Sequence, residues 1–219
     1  MTTNKQTAIY LTLASVLVLG ATQVQALGNV SYGPNTLINI TTGSYNSALG
    51  EDALRFTTSG DENTASGWLS LTANTIGFYN TASGTRSLGN NTTGYYNTAS
   101  GAHSLRENTT GNFNTTSGVE SLLFNTTGSG NTASGYYSLR SNTTGGSNTA
   151  IGGASLFSNT TGFDNTATGQ GSLYYNTTGT DNTATGSSSL LNNTTGYSNT
   201  AIGKQSMNQN TTGYNNTAN

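Results

Sequence analysis

From Leu37 to Leu190 a leucine falls on every seventeenth residue, and Met207 takes the next place in that series. A smaller apolar series runs beside it, with Ala at ten of twelve positions and Ser31 and Thr116 as exceptions. Most of the residues between are Gly, Asn, Thr or Ser. The repeating unit is N-T-A-x-G-x-x-S-L-x-x-N-T-T-G-x-x, and its positions are numbered here as columns 1 to 17. It starts at Asn29, Asn46, Asn63, Asn80, Asn97, Asn114, Asn131, Asn148, Asn165, Asn182 and Asn199, and a twelfth start at Asn216 runs for four residues. No insertion or deletion interrupts the series. So strict a register predicts an all-β fold, a parallel β-solenoid (β-roll or β-helix) of 17 residues per coil and about eleven coils. Handedness, the number of strands per coil and a two- or three-sided cross-section stay open.

Each column suggests a role. Column 9 sends one Leu inward per coil and column 3 one Ala, which makes a thin core. One buried Leu contributes about 1.5–3 kcal/mol, whereas ordering each residue of a coil costs about 1–2 kcal/mol in backbone entropy. A lone coil therefore cannot fold, and stability must come from bonds shared between coils. Gly in columns 5 and 15 marks a corner with φ > 0 or a close backbone approach. Asn in column 1, and in column 12 after Ile40 and Thr57, predicts ladders of amides bonded from coil to coil. Thr in column 13 predicts a Thr ladder on a short strand, and Ser in column 8 a stacked hydroxyl ladder.

Columns 6, 7, 10, 11, 16 and 17 hold every charged residue after Lys5 and, beyond Tyr10, every aromatic except Tyr32. Charges at that density cannot be buried unpaired, so these columns are expected to face solvent. The exposed aromatic surface then comprises Trp68, Tyr79, Tyr95, Tyr96, Tyr136, Tyr137, Tyr174, Tyr175, Tyr197 and Tyr214.

The first 26 residues read differently. Lys5 is a positive n-region, Ala8 to Gly20 a short apolar stretch, and Val24-Gln25-Ala26 a cleavage site, so residues 1–26 are expected to be a secretory signal peptide. The apolar run is too short to span a bilayer and no other candidate follows, which leaves no membrane span in the mature chain. Residues 27–219 then form a single β-solenoid repeat domain, secreted to the extracellular space or cell surface. Cysteine is absent, so no disulfide holds this exported chain. Low charge and abundant small polar residues would also suit a disordered tract, but a disordered tract gains nothing from keeping Leu in one column. Without Lys5 there remain five basic and eight acidic residues, a net charge of −3, and no basic stripe to meet nucleic acid.

The segment N-T-A-x-G-x-x-S-L, as in Asn80 to Leu88 and Asn148 to Leu156, resembles the head repeats of trimeric autotransporter adhesins. It is also similar to N-T-T-G-x-x-N-T-A-x-G arrays of tail-fibre-like proteins. The likeness covers essentially Asn29 to Asn219 and implies a left-handed parallel β-roll on a bacterial surface. The coil is longer than the adhesin unit, and neither a heptad stalk nor an alternating-strand anchor follows, so trimerisation and anchoring are not carried over.

The function expected first is structural: a subunit of an extracellular filament, a homopolymer of solenoids stacked end to end. Its joining residues would be Asn29, Val30, Ser31 and Tyr32 at one end and Asn216, Thr217, Ala218 and Asn219 at the other, where the repeat stops without a cap. Pro34, Ile38, Ile40, Glu51, Asp52, Asp61 and Glu62 make the first two coils divergent and suggest a docking surface or, as the alternative, a partial cap. An alternative is an adhesin whose Tyr and Phe rows bind surface glycans or proteins. Ice binding is a remote third: Thr in columns 13 and 14 are adjacent and point to opposite faces, so no outward T-x-T array is expected. No enzymatic activity, cofactor or metal is expected. His103 lies in a solvent column, column 8 Ser has no accompanying base, and Glu51-Asp52 and Asp61-Glu62 lack a repeated calcium motif. The sequons at Asn91, Asn108, Asn125, Asn142, Asn159, Asn176, Asn193 and Asn210 are all column 12 and are read as ladder amides rather than glycan acceptors.

Overall fold

The computed structural model describes residues 27–219; the expected signal peptide, 1–26, lies outside the described residues. One sheet of twelve parallel strands runs the length of the repeat in strict chain order. The strands are β1 (Val30–Tyr32), β2 (Ser47–Leu49), β3 (Thr64–Ser66), β4 (Thr81–Ser83), β5 (Thr98–Ser100), β6 (Thr115–Ser117), β7 (Thr132–Ser134), β8 (Thr149–Ile151), β9 (Thr166–Thr168), β10 (Thr183–Thr185), β11 (Thr200–Ile202) and β12 (Thr217–Ala218). Every pairing joins equal columns, as in Thr98↔Thr115, Ala99↔Thr116 and Ser100↔Ser117. The expected β-solenoid is thus present, with one strand per coil, made by columns 2 to 4.

The rest of each coil is not strand, yet it too is bonded coil to coil. Columns 7, 9 and 17 have φ near +50° in every coil even where the residue is not Gly, as at Glu120, Leu122 and Phe113. The sign of φ therefore alternates from column 7 to column 9, and across this stretch the N–H groups turn from the preceding coil, at columns 5 and 7, to the following coil, at columns 9 and 11. Glu120 N–H donates to Ala102 O at 3.0 Å, and Leu122 N–H to Ser138 O at 2.9 Å. A left-handed non-Gly residue costs about 1–2 kcal/mol, and it persists because bonds on both sides over-determine it. Gly171 already fills column 7 in one coil with φ +64°. Replacing its neighbour, Ser188→Gly (φ +57°), is expected to raise stability by about 0.5–1 kcal/mol after the entropic cost of Gly, seen as a higher urea midpoint.

Column 13 does not form the expected strand. The Thr109 carbonyl accepts from three successive N–H groups of the preceding coil, Thr92 at 2.9 Å, Thr93 at 3.2 Å and Gly94 at 3.3 Å. Three amides converging on one oxygen bend the chain, which a strand ladder does not permit. Its Thr ladder is nevertheless real: Thr92 Oγ1 donates to that same carbonyl at 3.0 Å.

The core is as thin as the columns imply. Leu54 to Leu190 in column 9 are fully buried, with column 3 Ala beside them and column 12 and column 1 Asn walling the interior. Thr116, the hydroxyl in the Ala column, is buried and meets Ser104 Oγ, so its polar atom is satisfied.

Candidate functional site

Both Asn ladders converge on the column 15 glycine. Asn114 Nδ2 donates to Gly128 O at 2.9 Å across the coil, and Asn125 Nδ2 donates to the same oxygen at 2.9 Å from three residues away. Along the stack, Asn142 Nδ2 donates to Asn125 Oδ1 at 2.8 Å, and Asn131 N–H and Nδ2 both donate to Asn114 Oδ1. These amides are internal braces. The sequon residues Asn91 to Asn193 are fully buried within them, and Asn210 is half-buried. Intact mass of residues 27–219 expressed in a glycosylating host is therefore expected to be the unmodified value, since a glycan on Nδ2 would break two hydrogen bonds and fill the core.

Column 8 departs from expectation. Instead of a ladder, most of its hydroxyls bond inside their own coil, Ser121 Oγ to Gly118 O at 3.0 Å and Ser138 Oγ to Gly135 O at 2.9 Å. A serine side chain is short, and a carbonyl three residues back is nearer than the next hydroxyl. Ser104···Ser121 at 3.1 Å is an exception.

The aromatic columns form two clusters on different edges of the coil. In columns 16 and 17, Phe78 stacks on Tyr95 with centroids 4.9 Å apart, and Tyr79 on Tyr96 likewise at 4.9 Å. Tyr96 continues onto Phe113 at 5.4 Å. Farther along the same edge Tyr197 stacks on Tyr214 at 4.9 Å. On the other edge Tyr136 stacks on Tyr137, and Phe157 on Tyr174. The Arg140 guanidinium lies 4.9 Å from the Phe124 ring and 5.1 Å from Tyr137, while its Nε donates to Glu120 at 2.8 Å. Arg86 sits over Trp68 at 4.8 Å.

Stacking changes the expected exposure. Trp68, Tyr79, Tyr96, Tyr136, Tyr175, Tyr197 and Tyr214 are exposed. Tyr95, Tyr137 and Tyr174 are half-buried, because a ring one coil away covers Tyr95 and Tyr174 and the adjacent Tyr136 covers Tyr137. Column 10 is also more sheltered than a solvent column should be, and Leu123 there is only 3% exposed. The Tyr79 phenol is held above its usual pKa by a 3.1 Å hydrogen bond to the Glu62 carboxylate, whose charge opposes a second anion. Tyr136 is raised similarly by its hydrogen bond with Tyr137.

Two open recesses of about 420 Å³ lie on the edge formed by columns 7 and 10. One contains Arg106 and Glu107, paired at 2.6 Å, with Glu107 also accepting from Asn90. The other, beside Tyr174, opens where Gly171 stands in column 7. Among the described residues no three His, Cys, Asp or Glu side chains gather in a metal-ligating group. His103 is half-buried with Nδ1 lacking a hydrogen-bond partner. Among the same residues no helix is long and apolar enough to cross a membrane.

The residues expected to join subunits lie at opposite margins of the sheet. Val30, Ser31 and Tyr32 form β1, with Asn29 just before it, and pair only with β2; Thr217 and Ala218 form β12, followed by Asn219, and pair only with β11, with Asn216 bonded to Asn199.

One surface escaped the column-by-column reading. In β4 the burial order is exposed, buried, exposed, so Thr81 and Ser83 both face outward around buried Ala82. The outward array sought in columns 13 and 14 is instead in columns 2 and 4. Its signal, a hydroxyl on each side of an inward Ala, was present in every T-A-S and T-A-T triplet. The chain matches no protein-family profile, no curated protein and no solved structure.

Proposed function

We propose that the chain is a secreted structural protein whose solenoids join end to end into an extracellular filament. The carrying observation is that the coil-on-coil interface recurs at every step with the same register and the same column 1 amide ladder, joined by the column 12 ladder from Asn74 onward. A surface that receives the next coil of its own chain receives a coil of a second chain by the same bonds. Such a heterologous contact does not close, so it propagates. The likeness to adhesin head repeats and the signal peptide expected from residues 1–26 support an extracellular place for this rod.

The aromatic geometry favours a structural role over glycan capture. Sugar recognition by stacking needs open ring faces, whereas Phe78, Tyr95, Tyr79 and Tyr96 turn faces toward each other at 4.9 Å. They brace successive coils along the edges.

Eleven coils at about 4.8 Å give a rod of roughly 50 Å. Negative-stain microscopy and sedimentation of residues 27–219 are expected to show rods in multiples of that length, growing with protein concentration. Monodisperse single rods at every concentration would reject the filament, and specific signals on a glycan array would favour the adhesin.

A further inference from the structure

The outward face of β3 to β11 carries two parallel ranks of side chains. Column 2 is Thr in every strand from Thr64 to Thr200; column 4 is Ser from Ser66 to Ser134, followed by Ile151, Thr168, Thr185 and Ile202. In-register pairing repeats each rank about every 4.8 Å across strands, and the two ranks stand about 6.6 Å apart along a strand. The face holds no charged or aromatic side chain over these nine strands.

A second observation concerns the hydroxyls themselves. Those of columns 8 and 13 are used inside the chain, as in Ser121 Oγ to Gly118 O and Thr109 Oγ1 to Thr126 O. Those of columns 2 and 4 make no hydrogen bond to another described residue and keep both donor and acceptor capacity. Thr is β-branched, so each hydroxyl and methyl is held in a narrow range of directions.

We propose that this face binds the surface of ice. A discrete molecule would meet the same groups at every strand and find no unique address, so the fitting ligand is itself a lattice. A mineral salt would be recognised by charge, and a crystalline polysaccharide by a flat row of open aromatic faces; this surface has neither. Water in a crystal presents donors and acceptors at regular intervals of comparable length. Each single contact is weak because liquid water competes for it. Nine strands held rigidly in register engage together, which gives the multivalent gain of a pre-organised surface. The inference does not rest on filament formation, because a single rod presents the whole face.

Growth of a single ice crystal under a microscope, in residues 27–219 at graded concentrations, tests it. The wild-type chain is expected to facet the crystal and to open a gap between melting and freezing points. Thr115→Lys with Thr132→Lys, both outward in the middle of the face, is expected to lose both effects with an unchanged melting temperature by circular dichroism. Thr110→Lys with Thr127→Lys, on exposed column 14, is expected to keep them. Should the face lysines lower the melting temperature, Thr115→Val with Thr132→Val keeps the branched shape and removes only the hydroxyls. Unfaceted growth with wild-type protein overturns the proposal, as does equal loss in the column 14 pair. Co-sedimentation with crystalline cellulose or calcium carbonate in place of ice faceting would overturn it too.

Discussion

Gly128→Ala is expected to destabilise the rod by more than about 4 kcal/mol, enough to split its cooperative unfolding into separate parts. A Cβ there would lie 2.3 Å from Asn125 Oδ1, 2.3 Å from the Gly145 carbonyl and 2.8 Å from Asn142 Nδ2. None of these atoms is free to retreat. The Asn125 and Asn142 amides are links of the ladder, and the Gly145 carbonyl accepts from Asn131 and Asn142. Relief of the clash therefore breaks buried hydrogen bonds on two coils, each costing about 1–3 kcal/mol when a partner is left unsatisfied. Gly153→Ala is the control, since the nearest atom to its Cβ is Tyr136 O at 4.0 Å and its φ is not positive. That variant is expected to be neutral or to gain about 0.4–1 kcal/mol through the unfolded state. Urea denaturation of both variants beside the wild type checks the contrast; equal midpoints would mean that the column 15 approach is looser than described.

Asn125→Ala has the next largest expected effect, a loss of about 2–4 kcal/mol from an orphaned acceptor together with a cavity. Asn108 Oδ1 loses the Asn125 donor at 2.8 Å, and Asn142 Nδ2 loses its acceptor while keeping Gly145 O. Gly128 O keeps Asn114 as its second donor. Hydrogen exchange should show the loss locally, with faster exchange in the coils on either side. The reverse change tests the same physics. Thr57 occupies column 12 one coil before the ladder begins at Asn74, and its Oγ1 is buried without a hydrogen-bond partner. Thr57→Asn extends the ladder by one rung and is expected to gain about 1 kcal/mol, read as a higher urea midpoint.

Legibility followed from how much a residue's type restricts its surroundings. Leu122 and Asn125 could be assigned to the interior because the same side chain recurs in the same column, and only stacked burial gives that recurrence a reason. Gly118 and Gly128 were recognisable as special, but their reasons differ. Gly118 has φ +137°, closed to other residues, and also sits against Gly135; Gly128 lacks a positive φ and is required by close approach alone. The left-handed backbone of Leu122 and Glu120 left no mark, because coil-to-coil bonds hold ordinary residues in a conformation that composition would assign to Gly. Ser121 is a rung by its column, whereas its hydroxyl turns back to its own coil. The column of Tyr95 puts it at the surface, and stacking on Phe78 in the coil before leaves it half-buried there.

The amino-acid sequence by itself determined the repeat length, the stacked β-solenoid, the inward Leu and Ala, and the two amide ladders, because each is a property of one column compared with itself one coil away. Where the strand lies within the coil, which hydroxyls are spent internally, and which stand free on the Thr64 to Ile202 face were decided only by tertiary structure. Those features depend on how different columns meet around the coil. A 17-residue period fixes the distance between like residues and leaves the path between unlike ones to the backbone and its hydrogen bonds.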